Sequence, residues 1–347
     1  MGKKISIVDI AKALNISKSS VSFILNGHAK EKRISDELVE RVTKYVNEVG
    51  YKPNSFAQSL RTGKSNTIGL MVEDISNPFF AKIARLIEDR AYENGYKMIY
   101  SSTDNNTVKT QELISMFRDR HVDGYIIAPP EGIEDEINAL LNDDLPVVLF
   151  DRYLSTIETD HVVIDNKSSV YNVTTHLIEQ GYKNIGFISF TSVQIQLKER
   201  LQGYKDALKD HNMKSCIKEV MYSRNESLMY ESIVTFLKKR TDLDSVIFST
   251  NHLGVLGLKA IRTLGLKIPN DIAVASFDDY ELFELTTPPI TAIAQPIEAI
   301  ADNIITILLN KLNAPTKLKS RQNVILSTDL KIRESTSNRS KKSIKKS

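Results

Sequence analysis

From Thr67 onward the chain alternates short buried-type strands with amphipathic helices, and that alternation leaves few folds open. Ile68–Val72, Met98–Ser101, Tyr125–Ala128, Val147–Phe150 and Val162–Ile164 read as strands, separated by helices near 79–94, 107–121 and 132–142. A second set follows, with strands near 185–189, 246–249 and 272–276 and helices near 167–180, 198–211, 226–239 and 252–264. Near-continuous apolar strands between helices imply parallel sheets covered on both faces, an α/β class. Glu93-Asn94-Gly95-Tyr96-Lys97-Met98-Ile99 resembles Glu179-Gln180-Gly181-Tyr182-Lys183-Asn184-Ile185, a helix end feeding a strand each time, which suggests two equivalent halves. Ile297–Leu312 reads as a further amphipathic helix, with a final strand around Val324–Ile332.

The first fifty residues follow a different period. Ile7, Ile10, Ala11 and Leu14 recur at helical spacing behind Ser6 and Asp9, which match a capping box. Asn15-Ile16 breaks the pattern, Ser17 can cap a second helix, and Val21, Ile24 and Leu25 face inward while Lys18, Ser19 and Ser22 face out. Ser35–Val49 gives a third helix, acidic in its first turn and ended by Gly50. Two short helices, one showing small polar and basic residues, suit a helix-turn-helix in the DNA major groove; a plain helical hairpin satisfies the same pattern.

Charge separates the two regions. Residues 1–64 hold 12 Lys+Arg against 6 Asp+Glu, residues 65–334 hold 29 against 37, and residues 335–347 hold 5 basic residues and no acidic one. A basic head on an acidic body is the footprint of a protein that meets polyphosphate with its N-terminal part. The single cysteine, Cys216, excludes an internal disulfide and a cysteine-built metal site, and no His cluster has metal spacing, so neither metal nor cofactor is expected. No apolar run approaches the ~20 residues of a membrane span. Lys3 and Lys4 have no signal-peptide core behind them, so a cytoplasmic protein is expected and a transported sugar receptor is not. Gly63-Lys64-Ser65 has Gln58 where a phosphate-binding loop needs its first glycine, which removes nucleotide hydrolysis there.

The runs VDIAKALNISKSSVS, LNG, EVGYKPNSFAQSL and TIGLMVEDISNPFF, followed by Val122-Asp123-Gly124, Phe277-Asp278-Asp279 and Pro288-Pro289-Ile290-Thr291, resemble the LacI/GalR family of bacterial transcription regulators across nearly the whole chain. The resemblance implies a helix-turn-helix head (1–50), a hinge helix and linker (51–66), and a two-lobed periplasmic-binding-protein-like effector domain (67–334). Its lobes would comprise about 67–165 with 296–325, and 166–293 with 326–334. The basic stretch 335–347 reads as a disordered tail.

For DNA, the resemblance places Lys18 and Ser19 at base edges and Ser20 and Ser22 at phosphate or base, with Ser6, Ser17, Phe23, Asn26, Tyr51, Asn54 and Ala57 also on the DNA-facing side. Leu60 matches the leucine that wedges between base pairs in the minor groove. Phe23 stands where relatives carry a guanine-binding arginine. Phenylalanine donates no hydrogen bond, so it either meets a thymine methyl or belongs to the core. No C-terminal leucine heptad is present, so a homodimer on a pseudo-palindromic operator is expected.

In doubly wound folds ligands bind beyond the carboxyl ends of strands. Asp151, Asn251 and Asp278 sit there, Arg200 matches the family's effector-clamping arginine, and Phe79 and Phe80 after Asn77-Pro78 suit the floor of a cleft. Carboxylates, an amide and a guanidinium around aromatic surface suit a sugar-like effector, with a purine as the alternative. Each Asp or Asn here could equally cap the next helix. Two carboxylates also suit a glycoside hydrolase, but that reading leaves the basic head without a task.

Overall fold

The computed structural model describes residues 5–51, 64–314 and 320–337, and the chain divides into two compact units, Met1–Ser65 and Asn66–Ser347. The hinge positions Asn54, Ala57 and Leu60 lie outside the described residues.

In the first unit three helices, α1 (Ile7–Ala13), α2 (Lys18–Leu25) and α3 (Asp36–Glu48), close on Ile10, Ala11, Val21, Ile24, Val42 and Val46. α1 starts at a complete capping box: Asp9 N–H donates to Ser6 Oγ at 3.3 Å, and Ser6 N–H donates to Asp9 Oδ2 at 2.9 Å. Asn15 takes the left-handed conformation (φ 50°) that turns the chain into α2, and Ser17 Oγ accepts from Ser20 N–H at 2.9 Å to start that helix. Arg41 donates to the Leu14 carbonyl at 2.7 Å, tying α3 to the end of α1.

The second unit is built on two six-stranded sheets. The first holds β1 (Thr67–Val72), β2 (Lys97–Ser102), β3 (Gly124–Ile127), β4 (Val147–Phe150), β5 (Asp160–Ile164) and β11 (Asn323–Leu326), in the order β11-β5-β4-β3-β1-β2. The second holds β6 (Ile185–Phe190), β7 (Cys216–Val220), β8 (Ser245–Phe248), β9 (Ala273–Phe277), β10 (Thr291–Ala294) and β12 (Asp329–Lys331), in the order β12-β10-β9-β8-β6-β7. Every pairing is parallel except β10–β12. The expected final strand is therefore two strands, one in each sheet, because the chain crosses between lobes at Ser327-Thr328. The periodicity also passes over β7 and β10.

Helices cover the sheets as parallel strands require: α4 (Pro78–Glu93), α5 (Thr107–Asp119), α6 (Glu134–Asn142) and α12 (Ile297–Asn313) in the first lobe, with α7 (Asn166–Glu179), α8 (Ile195–Asp210), α9 (Glu226–Lys239), α10 (Asn251–Thr263) and the short α11 (Glu281–Leu285) in the second. None of the described helices is long and apolar enough to cross a membrane.

The matching strand orders make the lobes equivalent, yet the sequence repeat marks other positions. Glu93–Ile99 feeds β2, an edge strand, whereas Glu179–Ile185 feeds β6, the counterpart of β1. What the two stretches share is a helix stop. Gly95 (φ 80°) and Gly181 (φ 90°) are left-handed, and Tyr96 and Tyr182 N–H donate back to the Ala91 and Leu177 carbonyls.

The basic tail begins later than expected. Ser335 and Thr336 are buried: Ser335 Oγ donates to the Val274 carbonyl at 2.6 Å, and Thr336 Oγ1 lies 2.7 Å from Thr291 Oγ1 and 2.9 Å from His176 Nε2. These hydroxyls satisfy polar groups at the edge of the second sheet, which low apolar content could not reveal. Residues 338–347 lie outside the described residues.

One glycine controls the approach of α8 to α7. A Cβ at Gly203 would fall 2.1 Å from the Lys167 carbonyl oxygen. Gly203→Ala is expected to lower the stability of the second unit by about 1–3 kcal/mol through overpacking, read as a reduced denaturant midpoint by circular dichroism.

Candidate functional site

All six cleft residues anticipated from the sequence, Phe79, Phe80, Asp151, Arg200, Asn251 and Asp278, line one cavity of about 320 Å³ between the lobes. Each arrives by a strand end or a helix start. Asn77 Oδ1 accepts from Phe79 N–H at 3.0 Å and Pro78 takes the first turn, so α4 presents Phe79 and Phe80 together. Their rings meet edge-on at 5.0 Å, and Phe80 packs on Phe150 at 6.0 Å. Thr250 caps α10 through Leu253 N–H, which brings Asn251 into the cavity.

Asp151 follows β4 and Asp278 follows β9, strands that hold the same place in their sheets. Both aspartates are left-handed, with φ 65° and 64°. For a residue with a Cβ that conformation is sparsely populated and costs energy, and a short polar side chain tolerates it best. The result is a carboxylate from each lobe in equivalent positions. Burial pushes the Asp151 carboxyl up, opposed by Arg152 and Arg200. Asp278 Oδ1 accepts from Gln295 Nε2 at 2.6 Å. Asp279, its neighbour, is instead chelated by Arg333 at 2.8 Å and does not line this cavity.

Arg200 is 3% exposed. Its Nε donates to Asn166 Oδ1 at 2.9 Å and its Nη1 to the Ser249 carbonyl at 2.8 Å, while the guanidinium lies 3.5 Å from the Phe277 ring centroid. Those partners are neutral, so the charge is answered by Asp278 and Asp151 at longer range. Two of its five N–H donors are used, leaving the fork able to bind a molecule in the cavity.

Strand-end reasoning also reaches residues not singled out from the sequence. Phe190 lines the cavity as the last residue of β6, Glu73, Asn105, Tyr222 and Gln295 do so just beyond β1, β2, β7 and β10, and Gln194 and Gln196 do so from the start of α8. Behind the lining, Arg152 holds three groups at once: Asp151 Oδ2 at 3.1 Å, Asn105 Oδ1 at 3.0 Å and Glu73 Oε2 at 2.9 Å. Arg224 of the second lobe reaches Asp104 of the first at 2.8 Å, and Lys82 reaches Glu281 at 2.9 Å, so ion pairs bridge the lobes.

In the first unit Lys18 and Ser19 are exposed at the start of α2. The hydroxyls of Ser6, Ser17 and Ser20 are engaged in caps, and Ser22, expected to face out, is half-buried and accepts from Asn26 Nδ2 at 3.3 Å. Phe23 is half-buried but outside the apolar cluster, with Lys32 Nζ 5.3 Å from its ring centroid. Tyr51 packs against the core of this unit.

Residues 6–54 match the family described as bacterial regulatory proteins, lacI family, and residues 174–336 match a periplasmic binding protein-like domain. The HTH-type transcriptional regulator DegA of Bacillus subtilis (strain 168) is 31% identical over 342 residues, covering 96% of this chain and 98% of the relative. A LacI family transcriptional regulator from Enterococcus faecium with bound ribose superposes with TM-score 0.71 at 26% identity, covering 78% of this chain and 99% of the other. A periplasmic binding protein/LacI transcriptional regulator from Alkaliphilus metalliredigens QYMF, complexed with D-xylulofuranose, gives TM-score 0.70 at 27% identity, with 78% and 98% covered.

Removing the Arg152 guanidinium leaves Glu73 without its cation and Asp151 with Arg200 alone. Arg152→Met is expected to cost about 1–3 kcal/mol in unfolding free energy, measured by urea titration, because two half-buried carboxylates lose their hydrogen-bonded cation.

Proposed function

The chain belongs to the LacI family of bacterial regulatory proteins, and from that premise we propose that it is a repressor of carbohydrate-utilisation genes, a dimer on a pseudo-palindromic operator, with a sugar-like effector in the inter-lobe cleft. It is a DNA-binding regulator of transcription. The observation that carries the effector reading is Arg200 with Asp151 and Asp278 around one cavity, each aspartate supplied by a different lobe. A sugar hydroxyl donates once and accepts twice, so a polyol can bridge carboxylates and a guanidinium together. The aromatic faces of Phe79, Phe190 and Tyr222 suit the apolar side of a sugar ring, and they would also stack on a purine, the second reading.

The mechanism we assign is a change in lobe closure. An effector touching both lobes favours the arrangement in which Arg224–Asp104 and Lys82–Glu281 are made. Residues 51–66 pass that change to the head, with Leu60 as the minor-groove wedge. Coupling of this kind is typically ~1–3 kcal/mol. Lys18 and Ser19 read base edges, and Phe23, being outside the apolar cluster, meets a thymine methyl. The protein is assigned to the cytoplasm and is no enzyme: a hydrolase would use the two aspartates but would have no need of a basic head.

Arg200→Ala is expected to abolish the effector response in a fluorescence-anisotropy assay while operator affinity stays within about threefold; a full response would remove Arg200 from the site. Phe23→Arg is expected to shift operator selection toward guanine at the facing base, worth ~1–3 kcal/mol of discrimination, as read by selection from randomised half-sites.

A further inference from the structure

Building on the placement of α2 against DNA given above, we propose that Lys32 is a phosphate contact on the operator and that Phe23 is the residue that positions it. Val21 and Ile24 bury one side of α2, while Ser19, Phe23 and Asn26 recur at helical spacing on another, beside Lys18 and Ser22. Lys32 Nζ lies 5.3 Å from the Phe23 ring centroid, inside the ~6 Å range of a cation–π contact. The ammonium is therefore held at the side of α2 that carries Ser19, although it comes from the connection to α3.

That connection is anchored well enough to hold a charge in place. His28 N–H donates to the Phe23 carbonyl at 2.9 Å, Lys32 N–H to the His28 carbonyl at 3.1 Å and Ile34 N–H to the Ala29 carbonyl at 2.9 Å. Ala29 and Ile34 pack on the apolar core of the unit. Lys30, Lys32 and Arg33 are exposed and make no ion pair among the described residues. Glu31, the one carboxylate between Gly27 and Ser35, lies 3.2 Å from His28 Nδ1 instead. An aromatic ring attracts a cation without neutralising it, so Lys32 keeps its full charge for a partner. Lysine is a compact point charge without the planar fork of arginine, which suits it to phosphate. A phosphate contact fixes the register of a protein on the duplex and carries no sequence information itself. This role adds to the thymine contact assigned to Phe23 above and does not depend on it, since the cation needs only one ring face.

The test is fluorescence anisotropy of the full chain on the duplex recovered by selection from randomised half-sites, and on its single-base variants, across a series of potassium chloride concentrations. Lys32→Gln should flatten the plot of log affinity against log salt by ~0.9 for each copy bound, ~1.8 for a dimer. It should weaken every duplex by a similar factor, at least about fivefold near 0.1 M salt, with base preference unchanged. Phe23→Leu keeps an apolar contact but removes the ring, and should give at least half of that flattening. Adding Lys32→Gln on that background should change the slope little further, and Phe23→Tyr, which keeps the ring, should keep the parent slope. Far-UV dichroism checks that each variant folds. An unchanged slope in folded Lys32→Gln overturns the phosphate contact and leaves base reading by α2 standing. A preference altered at one base with the slope intact makes Lys32 a base reader and overturns it as well. The parent slope in folded Phe23→Leu overturns the positioning role. A parent chain that recovers no duplex from the pool overturns the operator reading itself, before any variant is compared.

Discussion

A guanidinium taken almost wholly out of water, that of Arg200, is the interaction on which the arrangement of the cleft rests. Desolvating a charge is expensive unless hydrogen bonds and nearby opposite charge answer it. Here the answer comes from three directions. Asn166 and Ser249 fix the fork, the Phe277 face supports it, and Asp151 and Asp278 supply negative charge from different lobes. Gly203, one turn along α8, lets that helix come close enough to α7 for the Asn166 contact to form. A local absence of side chain thus serves a charged group one turn away.

The parallel sheets explain why polar residues gather here. Strands buried on both faces leave polar side chains few places except past their carboxyl ends, and both sheets aim those ends at the cleft. The left-handed aspartates after β4 and β9 show the same local solution used twice. Arg152 and Arg200 then divide the work. Arg152 stiffens the first lobe's lining by holding Glu73, Asn105 and Asp151, while Arg200 spends two of its five donors, on Asn166 and Ser249. A site assembled from two lobes responds to anything that draws them together, which is what a conformational switch requires.

Much of this was legible in the sequence because it rests on local rules. The capping box at Ser6 and Asp9, the cap at Ser17, and the helix stops at Gly50, Gly95 and Gly181 all use short-range chemistry. The strand-end rule located Asp151, Asn251 and Asp278. Other features depend on contacts far apart in the chain. Arg152 gains its meaning from Glu73 and Asn105, 79 and 47 residues away. The periodicity does not mark β7 and β10, and Ser335-Thr336 reads as tail from its polar composition, whereas its hydroxyls pair with the distant His176, Thr291 and Val274. The apparent repeat misled for the opposite reason: identical helix stops produced similar sequence at positions that are not equivalent in the two sheets. Phe23 left two readings open from sequence, and its place outside the apolar cluster favours the surface one.

In the proposed mechanism, occupancy of the cleft and binding of operator DNA share one free energy, and one linked pair of titrations decides it. It is tested most directly by measuring operator affinity with and without saturating effector, and effector affinity with and without saturating operator, on the same full-length protein. Both affinities are expected to change by the same factor, between about 5 and 150, in one shared direction. An effector that binds tightly and leaves operator affinity unchanged would contradict it.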